Sequence, residues 1–183
     1  MIKLFADGAD KQGILEMYNN PSIDGFTTNP TLMRKAGITD YVTFAKEILD
    51  EITDKPVSFE VFADEYKEME QQALKISKWG ENVYVKIPVM NTKKMPSYEL
   101  IRYLSLKGVK INITAIMTLE QVRMVSESVI GGPSCFVSVF AGRIADTGVD
   151  PVPLMRQALK ILKIAPNAEL LWASPREVLN VYQ

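Results

Sequence analysis

The chain has 183 residues, a formal net charge of −1 and a hydrophobic fraction of 47%, which is the composition of one ordinary globular domain over residues 1–183. It contains no basic tract that would bind nucleic acid and no apolar run near the roughly 18 residues that a membrane span needs. Histidine is absent, which excludes histidine-dependent catalytic triads and histidine metal sites. We therefore expect a cytoplasmic protein without metal or cofactor, whose single cysteine, Cys135, is inert core.

Segments rich in β-forming residues alternate with helical segments along the whole chain. The predicted strands are 2–7, 24–29, 56–62, 83–89, 110–116, 135–141 and 168–174. The predicted helices are 10–18, 30–36 followed by 39–52, 65–79, 97–107, 118–130 and 151–164, with a last helix that starts at Ser174 and Pro175. Repeated strand–helix units form a parallel sheet, which is either open and doubly wound or closed into a barrel.

The alternation of side chains within the predicted strands favours the barrel. One alternate set is apolar, as in Val83, Val85 and Ile87, whereas the other set is polar near the end of each strand. The polar residues are Asp7, Asn29, Glu60, Lys86, Asn112, Thr114, Ser138 and Ser174. In a barrel one face of every strand points into the lumen and the active site lies at the carboxyl ends of the strands. We therefore predict an α/β fold, a (β/α)8 TIM-type barrel of which seven strands are accounted for.

Lys86 lies in the middle of an apolar strand, where burial disfavours a charged ammonium group. A lowered pKa would free the amine to attack a ketone and form a Schiff base. The alternative is a structural ion pair with Glu60, one strand away. Asp7 and Glu60 can transfer protons in the same lumen, and Asn29 and Asn112 offer donors and acceptors to sugar hydroxyls.

Two arginines, Arg143 and Arg176, follow the last two predicted strands. Phosphate sites of barrels commonly lie in the loops after the last strands. Arginine binds phosphate through a planar fork, and a helix that begins at Ser174 would add backbone donors. The pattern predicts a sugar-phosphate substrate, with ordinary surface arginines as the alternative.

Taken in order, the polar motifs of this chain resemble those of one known family. The motifs are Asp7 after the first strand, Thr27-Thr-Asn-Pro30, Lys86 in Val-Lys-Ile-Pro, Asn112-x-Thr114, Ser138-x-x-x-x-Arg143 and Trp172-Ala-Ser-x-Arg176. Together they resemble the transaldolases over the whole chain. The short members of that family, which include the fructose-6-phosphate aldolases, are the most similar.

The resemblance implies a role for each site residue. Lys86 would form the imine with a ketose donor, and Asp7 would move the proton of the hydroxyl whose carbon–carbon bond breaks. Glu60 and Thr114 would hold the water used in forming and hydrolysing the imine. The substrate-binding residues implied by the family are Asn29, Asn112 and Ser138 for the dihydroxyacetone unit, Arg143, Ser174 and Arg176 for the phosphate, and Thr28 and Phe140 beside them.

Two positions separate the branches of the family. The aldolases have glutamine where this chain has Glu60 and tyrosine where it has Phe140, so the chain resembles a transaldolase at both. We therefore expect transfer of a dihydroxyacetone unit from a ketose phosphate to an aldose phosphate. The alternatives are an aldolase that releases dihydroxyacetone through the same imine, and an incomplete, non-catalytic barrel that binds sugar phosphate. Pro175 stands where the family usually has phenylalanine.

The sequence ends at Gln183, inside the predicted seventh helix. An eighth strand and helix would add a unit of about 30 residues, so we expect a C-terminally incomplete barrel, and a fragment is the first explanation. Unpaired edge strands invite pairing with another chain. The second explanation is therefore a partner chain that closes the gap, which leads us to expect a homo-oligomer.

Overall fold

Strands and helices alternate throughout the computed structural model, which describes residues 2–182. The strands are β1 Leu4–Asp7, β2 Ile23–Thr27, β3 Val57–Glu60, β4 Val83–Pro88, β5 Ile111–Ile116, β6 Cys135–Val139 and β7 Ala168–Trp172. The helices are α1 Lys11–Tyr18, α2 Pro30–Lys35, α3 Tyr41–Glu51, α4 Tyr66–Ile76, α5 Tyr98–Leu106, α6 Leu119–Val129, α7 Ala141–Asp146 and α8 Val152–Ile161. Short 3-10 helices occupy Leu162–Ile164 and Val178–Val181. All the predicted strands are therefore confirmed, with ends that differ by at most two residues.

The described residues group into two compact units. The first runs to Ala63 and resumes over Lys67–Lys86, and it contains β1, β2, β3 and most of β4. The second comprises Asp64–Tyr66 and the described residues from Ile87 onward, and it contains β5, β6 and β7. Over residues 2–182, no helix has the length and apolar character needed to cross a membrane. The single domain and the homo-oligomer stay predictions.

Parallel pairing in the first unit aligns the polar residues at the ends of the strands. The register places Asp7 opposite Thr27 on β2, and Glu60 on β3 opposite Lys86 on β4. Side chains alternate between the two faces of a strand, so residues aligned in this way turn to the same face. The opposite face of β3 and β4 within the first unit is apolar and buried, and it consists of Val57, Phe59, Val83 and Val85.

Helices begin where their capping residues predict. The Asp40 carboxylate accepts hydrogen bonds from the N–H groups of Val42 and Thr43 at the start of α3. Thr118 and Gln121 form a reciprocal capping box at the start of α6. Such caps satisfy backbone donors that a helix end leaves unpaired, and each stabilises a helix by about 1 kcal/mol.

A β-bulge interrupts β5 directly after Thr114. Ile113 pairs with Val137, but Ile116 pairs with Val139, so two residues of β5 lie opposite one residue of β6. Ala115, inside the bulge, has a φ of 61°, a left-handed conformation that costs a non-glycine residue about 1–2 kcal/mol. The sequence predicted a regular strand here, because the period-2 pattern continues through the bulge.

Helix α7, Ala141–Asp146, is missing from the sequence prediction, which continued the sixth strand to residue 141. It has only six residues, Phe140 at its N-cap makes no side-chain hydrogen bond, and glycine occupies its second position. None of the usual signals of a helix start is therefore present. Arg143 consequently lies on a helix and not in a loop.

The prediction of a helix beginning at Ser174 and Pro175 is wrong. Ser174 has a φ of 58°, in the left-handed region, and proline disfavours the right-handed helical conformation in the residue before it. A single turn of 3-10 helix begins only at Val178, after Glu177. Ser174 therefore offers no helix N-terminus to a phosphate, and Gln183, where the sequence ends, lies outside the described residues.

Candidate active site

An ion pair joins β3 and β4 at their carboxyl ends. Lys86 Nζ lies 3.4 Å from Glu60 Oε2, and the two side chains are only 12% and 19% exposed. The same Nζ donates a 3.4 Å hydrogen bond to the main-chain carbonyl of Thr28, a residue that is fully buried. Lys86 therefore forms the ion pair with Glu60 that the sequence offered as an alternative. The pair also keeps the amine beside a group that can exchange protons with it.

The Glu60 carboxyl lies in an environment suited to proton transfer. Burial raises its pKa above the ordinary value of 4.5, while the charge of Lys86 opposes this rise and the charge of Asp7 adds to it. A carboxyl with a raised pKa takes up and releases protons closer to neutral pH. The effect of Asp7 on Glu60 also indicates that the two carboxylates and the lysine share one electrostatic environment in the first unit.

Asp7 is exposed and is held by its neighbours on β2 and α2. Thr27 Oγ1 donates a 2.8 Å hydrogen bond to Asp7 Oδ1, and Asn29 Nδ2 lies 3.5 Å from Asp7 Oδ2. Asn29 lies just after β2 as the N-cap of α2, where its Oδ1 accepts the N–H of Leu32 at 2.9 Å. The side-chain oxygen of Asn29 is thus committed to the helix, and its amide nitrogen faces Asp7.

Tyr41, which the sequence analysis did not identify, supports Glu60 from α3. Its hydroxyl donates a 3.0 Å hydrogen bond to the main-chain carbonyl of Glu60, and burial raises the pKa of that hydroxyl. Its ring packs edge-on against Phe59, Phe62 and Trp79. Tyr41 and Phe62 also border a cavity of about 530 Å³ beside α2. The carboxyl end of β3 is therefore fixed by an aromatic cluster.

In the second unit, Asn112 on β5 and Ser138 on β6 form a buried polar contact. Ser138 Oγ donates a 2.6 Å hydrogen bond to Asn112 Oδ1, and the two residues are 4% and 0% exposed. Thr114 is 2% exposed, and its Oγ1 has no hydrogen-bonding partner among residues 2–182. The Nε1 atom of Trp172 is also buried and has no hydrogen-bonding partner among residues 2–182. Buried polar atoms without protein partners are uncommon and are typical of sites that bind water or ligand.

Arg176 is held by two partners in the second unit. Its Nε donates to Asp146 Oδ1 at 2.8 Å and its Nη2 to Asp146 Oδ2, while Nη1 donates to the main-chain carbonyl of Ser174 at 2.9 Å. Hydrogen bonds from Arg176 lower the pKa of the Asp146 carboxyl, and the charge of the exposed Arg143 contributes to this effect. The structure thus brings Arg176 and Ser174 together, and it adds Asp146 to the residues predicted around the phosphate.

The close approach of α7 to Ser174 requires glycine at position 142. A Cβ atom on Gly142 would lie 1.6 Å from the Ser174 carbonyl oxygen. The Gly142 N–H donates a 3.3 Å hydrogen bond to the carbonyl of Ala173. Phe140, which precedes the helix, is half-buried and donates its N–H to the Ile116 carbonyl at 2.8 Å. The arginine-bearing helix is thereby joined to both β5 and the segment after β7.

Comparison with known proteins places this chain in a family. The sequence profile described as transaldolase/fructose-6-phosphate aldolase matches residues 4–183. The chain belongs to this family. A probable transaldolase from Streptococcus equi subsp. zooepidemicus is 35% identical over 181 residues, which are 98% of this chain and 80% of that protein. A probable transaldolase from Dehalococcoides mccartyi is also 35% identical, over 183 residues that are 100% of this chain and 81% of that protein.

A solved structure shows the fold of this transaldolase/fructose-6-phosphate aldolase family member. The crystal structure of dihydrodipicolinate synthase from Rhodopseudomonas palustris superimposes with a TM-score of 0.58 at 16% identity over 93% of this chain. The chain spans 65% of the length of that structure. At this identity the likeness concerns the fold alone, and it confirms the prediction of an α/β fold of the TIM-barrel type.

The structure adds four residues to the predicted site of this family member: Thr27, Tyr41, Gly142 and Asp146. Tyr41 and Gly142 act through contacts between residues distant in sequence, which no local pattern reveals. Asp146 lies three residues after Arg143, a spacing that places both on one helix face. That signal would have identified Asp146 if α7 had been predicted. Within residues 2–182, no cluster of three or more acidic, cysteine or histidine side chains is arranged to hold a metal ion.

Proposed function

We propose that this chain catalyses the transaldolase reaction, the transfer of a dihydroxyacetone unit from a ketose phosphate to an aldose phosphate through a Schiff base on Lys86. The observation that carries the proposal is the largely buried pairing of Lys86 with Glu60 at the ends of two adjacent parallel strands. Family membership and two relatives named probable transaldolases support it.

The proposed reaction begins when Lys86 passes a proton to Glu60, and the resulting amine attacks the ketose C2 carbonyl. The resulting carbinolamine loses water to give a protonated imine, with Glu60 supplying and accepting the protons through a water molecule. Asp7 then takes the proton of the C4 hydroxyl, and the electrons of the C3–C4 bond move into the imine to form an enamine. An aldose phosphate leaves, and the enamine carbon attacks the carbonyl of the acceptor aldose, whose oxygen takes the proton back from Asp7. Hydrolysis of the new imine regenerates Lys86.

The contacts of each residue support the role proposed for it. Asp7 is exposed, and two neighbouring side chains position it for proton transfer. The Thr114 hydroxyl, which has no hydrogen-bonding partner among residues 2–182, is suited to hold the water used in imine formation. Asn112 and Ser138 are proposed to bind the dihydroxyacetone hydroxyls.

The proposal assigns the substrate phosphate to Arg143, Arg176 and the hydroxyl of Ser174. An arginine fork matches a phosphate group in shape and charge. Phe140, in place of the tyrosine of the aldolase branch, and Glu60, in place of its glutamine, support the transfer reaction over release of dihydroxyacetone.

Borohydride trapping tests the imine directly. With fructose 6-phosphate and borohydride, mass spectrometry should find a reduced three-carbon or six-carbon adduct at Lys86, and Lys86→Met should abolish it. Lys11 is the matched control, because it also forms an ion pair, with Glu47 at 2.9 Å, but is 45% exposed. An adduct at Lys11 and not at Lys86 would refute the mechanism.

The products distinguish transfer from simple cleavage. Fructose 6-phosphate alone should be turned over slowly, whereas adding erythrose 4-phosphate should produce a seven-carbon ketose phosphate. Release of free dihydroxyacetone at the same rate with and without the acceptor would identify the aldolase activity instead. Sugar-phosphate binding without any trapped adduct would identify a non-catalytic barrel.

A further inference from the structure

The guanidinium group of Arg176 is only partly engaged by its protein partners. Arginine has five N–H donors: one on Nε and two on each Nη. Asp146 takes one donor of Nε and one of Nη2, and the Ser174 carbonyl takes one of Nη1. Within residues 2–182 these contacts leave one N–H on each Nη, and arginine donates to phosphate through such N–H groups.

Asp146 also lies within the electrostatic reach of a second arginine. It ends helix α7, three residues after Arg143, so the two side chains project from one face of that helix. The charge of Arg143 contributes to the lowered pKa of the Asp146 carboxyl, after the larger effect of Arg176. A carboxylate near two guanidinium groups reduces the repulsion between them and allows both to face one anion.

The Asp146–Arg176 pair contributes little to the stability of the fold. The two side chains are 46% and 39% exposed, and ion pairs with this exposure are strongly screened by water. Its two-point geometry nevertheless fixes the plane of the guanidinium group. An arginine fixed in this way loses less side-chain freedom when a ligand binds, which is how preorganisation raises affinity.

We propose that Asp146 is a positioning residue for phosphate recognition: its carboxylate fixes Arg176 so that the remaining Nη1 and Nη2 donors face the phosphate of the sugar substrate. The inference deepens the proposed function and rests on its phosphate site. Asp146 acts through Arg176 and does not itself touch the substrate.

The alternative is that Asp146 weakens phosphate binding instead of strengthening it. A carboxylate close to a phosphate repels it, so an Asp146 that faced the ligand would weaken binding. Asp146→Asn separates the two cases, because the amide retains one acceptor for Arg176 but replaces the other by an NH₂ group that faces the arginine. A positioning role predicts weaker phosphate binding in this variant, whereas repulsion predicts tighter binding.

The experiment titrates inorganic phosphate into the full chain by calorimetry and measures steady-state kinetics with fructose 6-phosphate. Asp146→Asn should weaken phosphate binding by about five- to tenfold, the loss of about one charge-assisted contact. The KM for fructose 6-phosphate should rise similarly, while kcat stays within about twofold, since the reacting atoms are untouched. In an Arg176→Ala background, Asp146→Asn should have no further effect.

Asp150→Asn is the matched control. It removes one negative charge four residues away and retains the acceptor, Oδ1, that Asp150 uses for the N–H of Val152. This control should leave phosphate binding within about twofold of the wild type, because distant exposed charges are screened. Unchanged or tighter phosphate binding by Asp146→Asn, or an equal loss in Asp150→Asn, would overturn the proposal.

Failure of this inference is distinguishable from failure of the proposed function. Trapping of unphosphorylated dihydroxyacetone at Lys86 reports on the imine alone, and Asp146→Asn should leave it unchanged. If the wild type binds phosphate in an Asp146-dependent manner but traps no ketose, the imine mechanism is wrong and the positioning role stands. If trapping succeeds and phosphate binding does not depend on Asp146, the positioning role is wrong.

Discussion

Replacing Gly142 by alanine should displace Ser174 and, with it, the arginine that the Ser174 carbonyl holds. The added Cβ would lie 1.6 Å from that carbonyl oxygen and 3.2 Å from Arg176 Nη1, whereas ordinary contacts begin at 3.4 Å. The carbonyl would therefore have to retreat by nearly 2 Å. The hydrogen bond from Gly142 N to Ala173 O, already 3.3 Å long, would not survive this movement.

The expected loss of stability follows from these two changes, the overpacking and the broken hydrogen bond. Overpacking of a well-packed site costs about 1–3 kcal/mol, and the lost backbone hydrogen bond adds about 1 kcal/mol, so the free energy of unfolding should fall by about 2–4 kcal/mol. For a chain of this length, the melting temperature should fall by about 5–15 °C. The KM for fructose 6-phosphate should rise as well, because Arg176 loses one of its anchors.

Scanning calorimetry and steady-state kinetics measure both effects. Gly8→Ala is the matched control, because a Cβ on Gly8 would meet only Ile14 Cγ1, at an ordinary 3.9 Å. Trapping of dihydroxyacetone at Lys86 should continue in Gly142→Ala, since Lys86 belongs to the first unit. A Gly142→Ala variant with the melting temperature and KM of the wild type would refute the close approach of α7 to Ser174.

Three further predictions concern the strands that carry the site. Because burial raises the pKa of Glu60, its contribution to stability is greatest below pH 4.5 and is lost as pH rises through the raised value. Denaturant midpoints of wild type and Glu60→Gln should therefore converge, or change order, as the pH rises above 4.5. A constant difference would contradict the raised pKa. Tyr41→Phe removes the hydrogen bond to the Glu60 carbonyl and should lower the free energy of unfolding by about 1 kcal/mol, whereas Tyr103→Phe, on an exposed ring, should have no effect. Ala115→Gly should leave stability unchanged or raise it by up to about 1 kcal/mol, because glycine relieves the left-handed conformation; a loss of stability, as expected in a regular strand, would refute the bulge.

The strands could be predicted from sequence because each has an apolar face with a period of two residues. The ends of the strands were less predictable, because helix capping competes with strand pairing. Asn29 fits the side-chain alternation of β2, but it is the N-cap of α2. Helix α7 and the turn at Ser174 depend on each other, since Gly142 approaches the Ser174 backbone across the second unit. No local pattern encodes such a contact, so both were missed.

The candidate site was predictable where chemistry alone identifies a residue. A lysine in an apolar strand is unusual by itself, and Glu60 one strand away followed from the alternation of side chains. Tyr41 and Asp146 were missed because they hold other groups in place and have no unusual sequence context. No sequence pattern indicates that the Arg176 guanidinium donates to both a carboxylate and a carbonyl.

The register between β3 and β4 limits where this protein can tolerate insertions and deletions. Glu60 and Lys86 meet because their Cα atoms are aligned, and the intervening segment contains the whole of α4. Residues added in the loop after α4 would leave the pair intact, because a longer loop adds little closure entropy. A single residue inserted within Val57–Glu60 would instead turn one partner to the apolar, buried face of the strands. Length variation among functional variants should therefore be concentrated in the connections, while the residue count of these two strands stays constant.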